Sequence, residues 1–114
     1  MELKQEDIVK HFKGETLLEK NIYKILAVNP IYTGTRDFTE EPVVIYESLF
    51  QDYKIFVREY QDLVEELSDD EKELYHQMHR VEHLTHAELE LINSSEFIQA
   101  KKAFIEEKNN NKTL

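Results

Sequence analysis

The first half of the chain contains four short runs of β-forming residues, and their order constrains the fold more than any other feature. The runs cover residues 8–12, 22–28, 43–50 and 54–58. The second run stops at Asn29-Pro30, a turn signal, and the third follows Pro42, which lacks the N–H that a strand interior needs. Only three residues separate the third and fourth runs, which is typical of a β-hairpin. The sequence therefore predicts a mostly antiparallel sheet.

The second half of the chain carries the signals of helices. Tyr60, Leu63, Val64 and Leu67 are spaced as on one face of a short helix. Three segments then have the capping-box form, in which the first side chain and a glutamate three residues later satisfy free backbone N–H groups. They are residues 68–71, 85–88 and 93–96. These caps predict helices over about 69–84, 86–92 and 94–108, and residues 109–114 are expected to form a frayed tail.

Together the two halves predict an α+β fold. A four-stranded sheet cannot bury both of its faces alone, so helices are expected to pack against it. We expect a small, strongly bent, mostly antiparallel sheet followed by C-terminal helices. On this view the chain divides into a β-rich part at residues 1–67, a helical extension at 68–108 that packs on it, and a tail at 109–114.

Charge and hydropathy restrict the classes of function. The 114 residues carry a formal net charge of −10, with 24 acidic and 14 basic side chains, and the basic ones are not clustered. Because affinity for nucleic acid comes mostly from neutralising phosphates, this charge disfavours direct nucleic-acid binding. No apolar run is long enough to span a bilayer, and the sequence starts with neither a signal nor a transit peptide. We therefore expect a cytoplasmic protein that does not bind membranes.

The residue types also argue against several kinds of catalytic and cofactor site. The sequence contains no cysteine, which excludes disulfides, cysteine–zinc sites and thiol nucleophiles. Gly14 and Gly34 are the two glycines of the chain, too few for a loop that cradles phosphates or a dinucleotide. We expect no cofactor and assign no catalytic residue, so an enzyme is disfavoured.

Four motifs lie in or beside the predicted strands. They are His11-Phe12-Lys13-Gly14, Tyr23-Lys24-Ile25-Leu26, the run over residues 43–50, and Phe56-Val57-Arg58. In this order they resemble DUF1653, a family of small bacterial domains of unknown function with motifs near Y-R-H-F-K-G, Y-R-V-L, V-V-Y-Q-A-L-Y and W-V-R-P. The resemblance covers residues 8–59 and implies a bacterial protein with an SH3-like or similar small barrel. This chain differs by an insertion at residues 16–20, by Phe56 in place of Trp, and by Glu59 in place of Pro.

The polar positions of these motifs form the candidate site. They are His11, Lys13, Tyr46 and Arg58. If they converge on one edge of the sheet, Arg58 offers a planar fork and Lys13 a point charge to an anion, and Tyr46 adds a hydroxyl or a stacking face. On a strand, His11 and Lys13 share a face. The alternative is structural: His11 and Arg58 hydrogen-bond to neighbouring strands, Lys13-Gly14 makes a turn, and Tyr46 belongs to the core.

A histidine series is the second candidate, for a metal site. It comprises His76, His79, His83 and His86. On the predicted helix, His79 and His83 have the i, i+4 spacing that lets two imidazoles reach one metal ion. However, Arg80 stands where an H-E-x-x-H motif has glutamate, and Lys72 on the same face disfavours a cation. We therefore expect no physiological metal, with His79 and His83 as the weak candidates.

These observations favour a non-catalytic binding or interaction module. Its expected ligand is a small anion or a partner peptide, held over the sheet by the four polar motif residues. One alternative is a small hydrolase-like enzyme that uses His11 as its base, although no nucleophile or orienting partner is recognisable. Another is an acidic decoy that mimics nucleic acid, which the net charge of −10 suggests.

The last predicted helix bears on the oligomeric state. Its apolar stripe consists of Phe97, Ile98, Phe104 and Ile105, and Lys101 interrupts it. A helix of this length is not stable alone in water, and its apolar stripe must therefore pack against another apolar surface. It docks either on the chain's own sheet, against Val44, Phe50 and Phe56, or on a second copy in a symmetric dimer. The sequence leaves monomer and homodimer open.

Overall fold

The chain folds into an antiparallel sheet followed mainly by helices. The computed structural model describes residues 1–30, 42–51 and 54–112. The strands are β1 Ile8–His11, β2 Ile22–Val28, β3 Val43–Ser48, β4 Ile55–Glu59 and β5 Val81–His83. The helices are α1 Tyr60–Leu63, α2 Asp69–Tyr75, α3 His86–Ile92 and α4 Ser95–Lys112. The spatial strand order is β4-β3-β2-β1-β5, and each neighbouring pair is antiparallel. The predicted α+β class is confirmed.

The sheet is open. In the part of the chain that the structure describes, β4 and β5 are its two edges and do not pair with each other. The SH3-like barrel implied by the family resemblance is therefore not confirmed. A register shift between Ile25 and Ala27 places a bulge in β2, and a bulge bends its strand and increases the local twist.

The predicted helix over residues 69–84 is wrong beyond Tyr75. Its start is as expected, because Ser68 and Glu71 form the reciprocal capping box. His76 then adopts the left-handed conformation with φ of 57°, and α2 ends there. A left-handed residue cannot continue a right-handed helix, so the chain turns away at this point.

The buried Gln77 explains why the chain turns back to the sheet. Its side-chain amide donates hydrogen bonds to three backbone carbonyls, those of Lys10, His79 and Arg80. These bonds tie the turn after α2 to β1, and the next residues pair with β1 as β5. Tertiary hydrogen bonds thus override a helical periodicity, which is a weak preference in a short segment.

The other predicted boundaries agree more closely. α3 has the predicted bounds and the predicted capping box between Thr85 and Glu88. Ser94 caps α4 by accepting from the N–H of Phe97 at 3.2 Å, and α4 runs to Lys112, into the segment expected to fray. The predicted loop residues 31–41, with Gly34, and the hairpin residues 52–53 lie outside the described residues. Among the described residues, no helix has the length and apolar character needed to cross a membrane.

The strand register sorts side chains onto two faces of the sheet. The first face carries Val9, Ile25, Val44 and Val81, all nearly inaccessible to solvent, and Leu63 of α1 packs on them. The second face carries Ile22, which packs with residues from α3 and α4. Each face thus has its own apolar cluster, and burial of both stabilises the fold.

α4 docks on the second face of the chain's own sheet. Phe97 is buried, and its ring meets that of Phe50 edge-on with centroids 5.9 Å apart. The expectation that Val44 and Phe56 also receive this helix is wrong. The pairing of Val44 with Arg58 and of Tyr46 with Phe56 puts these side chains on the first face. The oligomeric state stays a prediction.

Candidate anion-binding site

The register places three of the four candidate residues on the first face. Tyr46 on β3 pairs with Phe56 on β4, and Arg58 lies two residues further along β4. His11 lies two residues after Val9, which belongs to the core of that face. Because side chains alternate along a strand, Tyr46, Phe56, Arg58 and His11 all point to the same side.

Three aromatic rings form a continuous surface beside them. The rings of Tyr23 and Tyr46 meet edge-on with centroids 4.9 Å apart, and those of Tyr23 and Phe56 do so at 5.9 Å. Tyr46 and Phe56 are stacked at 5.4 Å. Tyr46 is 8% exposed whereas Phe56 is 36% exposed. The cluster therefore reaches from the core to solvent and ends in an accessible ring.

Arg58 lies at the edge of this aromatic surface. Burial raises the pKa of the Tyr46 hydroxyl, and the charge of Arg58 and its hydrogen bond to that hydroxyl oppose the rise. The Nε atom of Arg58 on β4 is 3.7 Å from a carboxylate oxygen of Asp62, which lies on α1 directly after the strand. This ion pair is long and partly exposed, so it neutralises the guanidinium only weakly.

His11 is half-buried in a basic environment. Its ring lies against Phe12 with centroids 4.7 Å apart, and its Nδ1 accepts a long hydrogen bond, 3.4 Å, from the backbone N–H of Lys13. The pKa of His11 is lowered to about 4, first by burial and then by the charges of Arg80, Lys13, Arg58 and Lys20. The imidazole is therefore neutral at pH 7, and the cations of several elements converge on it.

Lys13 is exposed and lies in the bent segment that follows β1. β1 ends at His11, and Gly14 has φ of 111°, a conformation that L side chains rarely adopt. A Cβ on Gly14 would also lie 3.0 Å from the backbone carbon of Glu19. The backbone therefore bends at Gly14, and the Lys13 charge is close enough to lower the pKa of His11.

Arg80 is a contributor that the sequence pattern did not indicate. Its guanidinium lies over the ring of Phe12, 5.9 Å from the centroid, and pairs with Glu65 at 3.0 Å. Its Nε is buried and has no hydrogen-bond partner among the described residues. The predicted helix over 69–84 did not bring Arg80 to β1, so the sequence pattern did not indicate its approach to His11.

We name this surface the basic–aromatic patch. It comprises His11, Lys13, Tyr23, Tyr46, Phe56 and Arg58. Tyr23 and Phe56 join the four predicted residues because the strand register brings them onto the face that carries His11, Tyr46 and Arg58, while Lys13 lies just beyond the end of β1. Tyr23 is opposite Val9 in the β1–β2 pair, and this register places its side chain on the first face with Val9.

The structure does not place His79 and His83 on one helix face. The predicted helix that would align His79 and His83 ends before either of them. His79 lies in an isolated bridge with Glu66, whereas His83 is on β5, with its Nε2 atom 2.8 Å from a carboxylate oxygen of Asp7. Within the described ranges, no group of three or more His, Asp or Glu side chains is arranged to hold a metal ion.

The fold and the patch define an α+β protein with an antiparallel sheet whose first face carries a basic–aromatic surface. The chain belongs to the family described as "Protein of unknown function (DUF1653)", whose sequence pattern matches residues 7–80. The match extends past residue 59 and includes α2, while α3 and α4 lie outside it. Comparison with curated proteins and with solved structures gives no match.

Proposed function

We propose that this protein is a non-catalytic binding module that holds an anionic group of a small molecule or partner peptide against the basic–aromatic patch. One observation carries the proposal: the strand register puts His11, Tyr46 and Arg58 on one face beside the exposed ring of Phe56. Cations next to an accessible aromatic ring suit a ligand that joins an anionic group to a flat apolar one.

Arg58 is the residue that would bind the anion directly. A guanidinium has several N–H donors in a planar fork, more than Tyr46 and Asp62 can occupy. The nearby Tyr46 hydroxyl and the Asp62 carboxylate restrain the side chain, so binding costs less conformational entropy. The stacked rings beside it offer a flat surface to the rest of the ligand.

The local electrostatics supports an anion rather than a cation. The chain as a whole has a net charge of −10, yet at His11 the charges of Arg80, Lys13, Arg58 and Lys20 all disfavour a further proton. A neutral His11 accommodates these cations without adding repulsion. The patch is therefore a local region of positive potential on an acidic protein.

The contacts of His11 favour binding over catalysis. A histidine that acts as a general base is usually oriented by a carboxylate or a carbonyl oxygen. In the described part of the chain, the ring nitrogen contact of His11 is with the backbone N–H of Lys13. The hydrolase-like enzyme and the nucleic-acid-mimicking decoy stay predictions that no contact of the patch favours.

Calorimetric titration of the full chain tests the proposal with two probes, benzoate and a short peptide of alternating Glu and Tyr. Arg58→Gln and Lys13→Gln are expected to weaken binding of the better probe by about tenfold or more. Lys24→Gln is the matched control, because it removes one positive charge from the opposite, second face, where Lys24 forms an ion pair with Glu6 at 3.0 Å. If neither probe binds, or if Lys24→Gln weakens binding as much as Arg58→Gln, the proposal is wrong.

A further inference from the structure

A cavity lies away from the patch, between α4 and the segments that flank the sheet. Its volume is about 210 Å³. The lining residues are Asn21, Gln51, Lys54, Lys101, Phe104, Ile105, Lys108 and Asn109. Asn21 precedes β2, Gln51 and Lys54 lie between β3 and β4, and the remaining residues belong to α4. Since α4 is outside the family match, this cavity is built partly by a segment that the family pattern does not include.

The charge of the lining is opposite to that of the protein. Three of the eight lining residues are lysines, and no carboxylate is among these eight described residues. In the whole chain acidic side chains outnumber basic ones by 24 to 14. Three ammonium groups around one small cavity repel each other, and an anion between them would remove that repulsion.

Lys101 is the most unusual residue of this lining. It is 2% exposed, and its Nζ donates to the carbonyl oxygens of Leu18 and of Lys20, the latter at 2.5 Å. Its Nζ also lies 5.5 Å from the centroid of the Phe104 ring. An ammonium has three N–H donors, and among the described residues no third acceptor contacts this one. A buried lysine whose ammonium is held by two backbone carbonyls therefore belongs to the lining.

We propose that this cavity binds a small dianion, either a phosphate monoester or a short dicarboxylate. The three lysines supply the charge, while Asn21, Gln51 and Asn109 supply amide donors for the remaining oxygens. Phe104 and Ile105 form one apolar wall, which suits a short carbon chain. Lysine binds phosphate as a point charge, so neither probe class needs the fork geometry of arginine.

The protonation of Lys101 supports the same assignment. Burial, followed by the charge of Lys108, lowers the pKa of Lys101 to about 8, and the charge of Glu19 opposes this fall. A dianion bound in the cavity would stabilise the charged ammonium and raise that pKa. Binding near pH 8 should therefore take up protons, which adventitious binding to exposed lysines would not do.

The test is calorimetric titration of the full chain with inorganic phosphate and, separately, with succinate. The double variant Lys54→Gln/Lys108→Gln removes two exposed charges of the lining and leaves the buried Lys101 in place. The matched control is Lys4→Gln/Lys102→Gln, which removes two exposed charges outside the cavity. We expect saturable binding of at least one probe, weakened about tenfold or more in the first double variant and unchanged in the control.

The two probes separate the ligand classes. Binding of phosphate alone assigns a phosphate monoester, binding of succinate alone assigns a dicarboxylate, and binding of both assigns the shared dianion chemistry. The proposal fails if neither probe binds saturably at millimolar concentration, or if both double variants weaken binding equally. Neither failure affects the basic–aromatic patch, because its binding is tested with different probes and with Arg58→Gln.

Discussion

The ring of Phe56 is stacked on the ring of Tyr46 across the β3–β4 pair, with centroids 5.4 Å apart and planes inclined by 27°. The two rings differ in exposure, at 36% for Phe56 and 8% for Tyr46. The inner ring therefore serves the core, while the outer ring is available to a ligand. This division allows stability and binding to be changed separately.

Phe56→Ala should reduce binding of an aromatic anion with little loss of stability. We expect it to lower the free energy of unfolding by about 1 kcal/mol, because the ring is partly exposed. Tyr46→Ala should cost about 3–5 kcal/mol, since it empties a buried site. Urea denaturation measures the loss of stability in both variants. Val57→Ala is the control, because Val57 lies on the same strand and is 65% exposed, so its replacement should change stability little. A cost for Phe56→Ala as large as that for Tyr46→Ala would show that both rings are core.

The lowered pKa of His11 predicts a pH-dependent stability. In the unfolded chain the imidazole takes up a proton near pH 6.5, but in the folded chain it does so near pH 4. Falling pH therefore favours the unfolded state across this window. The free energy of unfolding has its full value, as far as His11 is concerned, only above pH 6.5 and decreases as the pH falls towards 4.

Carboxylates titrate at the lower end of the same window, so His11→Gln serves as the reference. Between about pH 7.5 and about pH 5, the free energy of unfolding of the wild type should fall by roughly 1–2 kcal/mol more than that of His11→Gln. This value includes a reduction for the partial exposure of the His11 ring to solvent. Urea denaturation at several pH values measures this difference. Parallel pH profiles for the two proteins would contradict a neutral, buried His11.

Lys101 is expected to stabilise the fold through its two carbonyl contacts. Lys101→Met leaves the carbonyls of Leu18 and Lys20 without their donor, which should cost about 1–3 kcal/mol. Lys102→Met changes the exposed neighbour in the same helix and should have an effect within about 0.5 kcal/mol. Thermal and urea denaturation compare the two variants. Equal stabilities would mean that the ammonium contributes nothing net to α4 docking.

The capping boxes at the starts of α2 and α3 should each contribute measurably. Ser68→Ala and Thr85→Ala remove side-chain acceptors for the N–H groups of Glu71 and Glu88, and each should cost about 1 kcal/mol. Ser95→Ala, inside the start of α4, is the control with an expected effect within about 0.5 kcal/mol. Chemical denaturation gives the values, and an unchanged midpoint for both cap variants would contradict the assigned role.

Local patterns predicted the parts of the fold that depend on local physics. The bounds of β2 and α3 follow from a run of β-forming residues and from the Thr85 capping box, both of which act over a few residues. β5 could not be predicted in this way. It is three residues long, and it exists because β1, which is far along the chain, pairs with it and accepts a hydrogen bond from Gln77 at the Lys10 carbonyl.

The sequence motifs pointed to candidate residues but not to their arrangement, and the site stays a prediction. The motif positions pointed to His11, Lys13, Tyr46 and Arg58, yet the common face of His11, Tyr46 and Arg58 depends on a register that no single strand specifies. Arg80 was missed because it approaches His11 only through the turn after α2. The lysine-lined cavity was missed for a related reason, because Lys54 and Lys101 line one cavity only when α4 is docked on the sheet.

The central claim is that the basic–aromatic patch binds an anion, and NMR mapping of benzoate binding tests it most directly. In the isotope-labelled full chain, benzoate is expected to shift the amide signals of His11, Tyr46, Phe56 and Arg58 saturably. Signals of α3 should not move, and Arg58→Gln should abolish the saturable shifts. Saturable shifts confined to α4, or no saturable shift on the first face of the sheet with either benzoate or the peptide of alternating Glu and Tyr, would contradict the account.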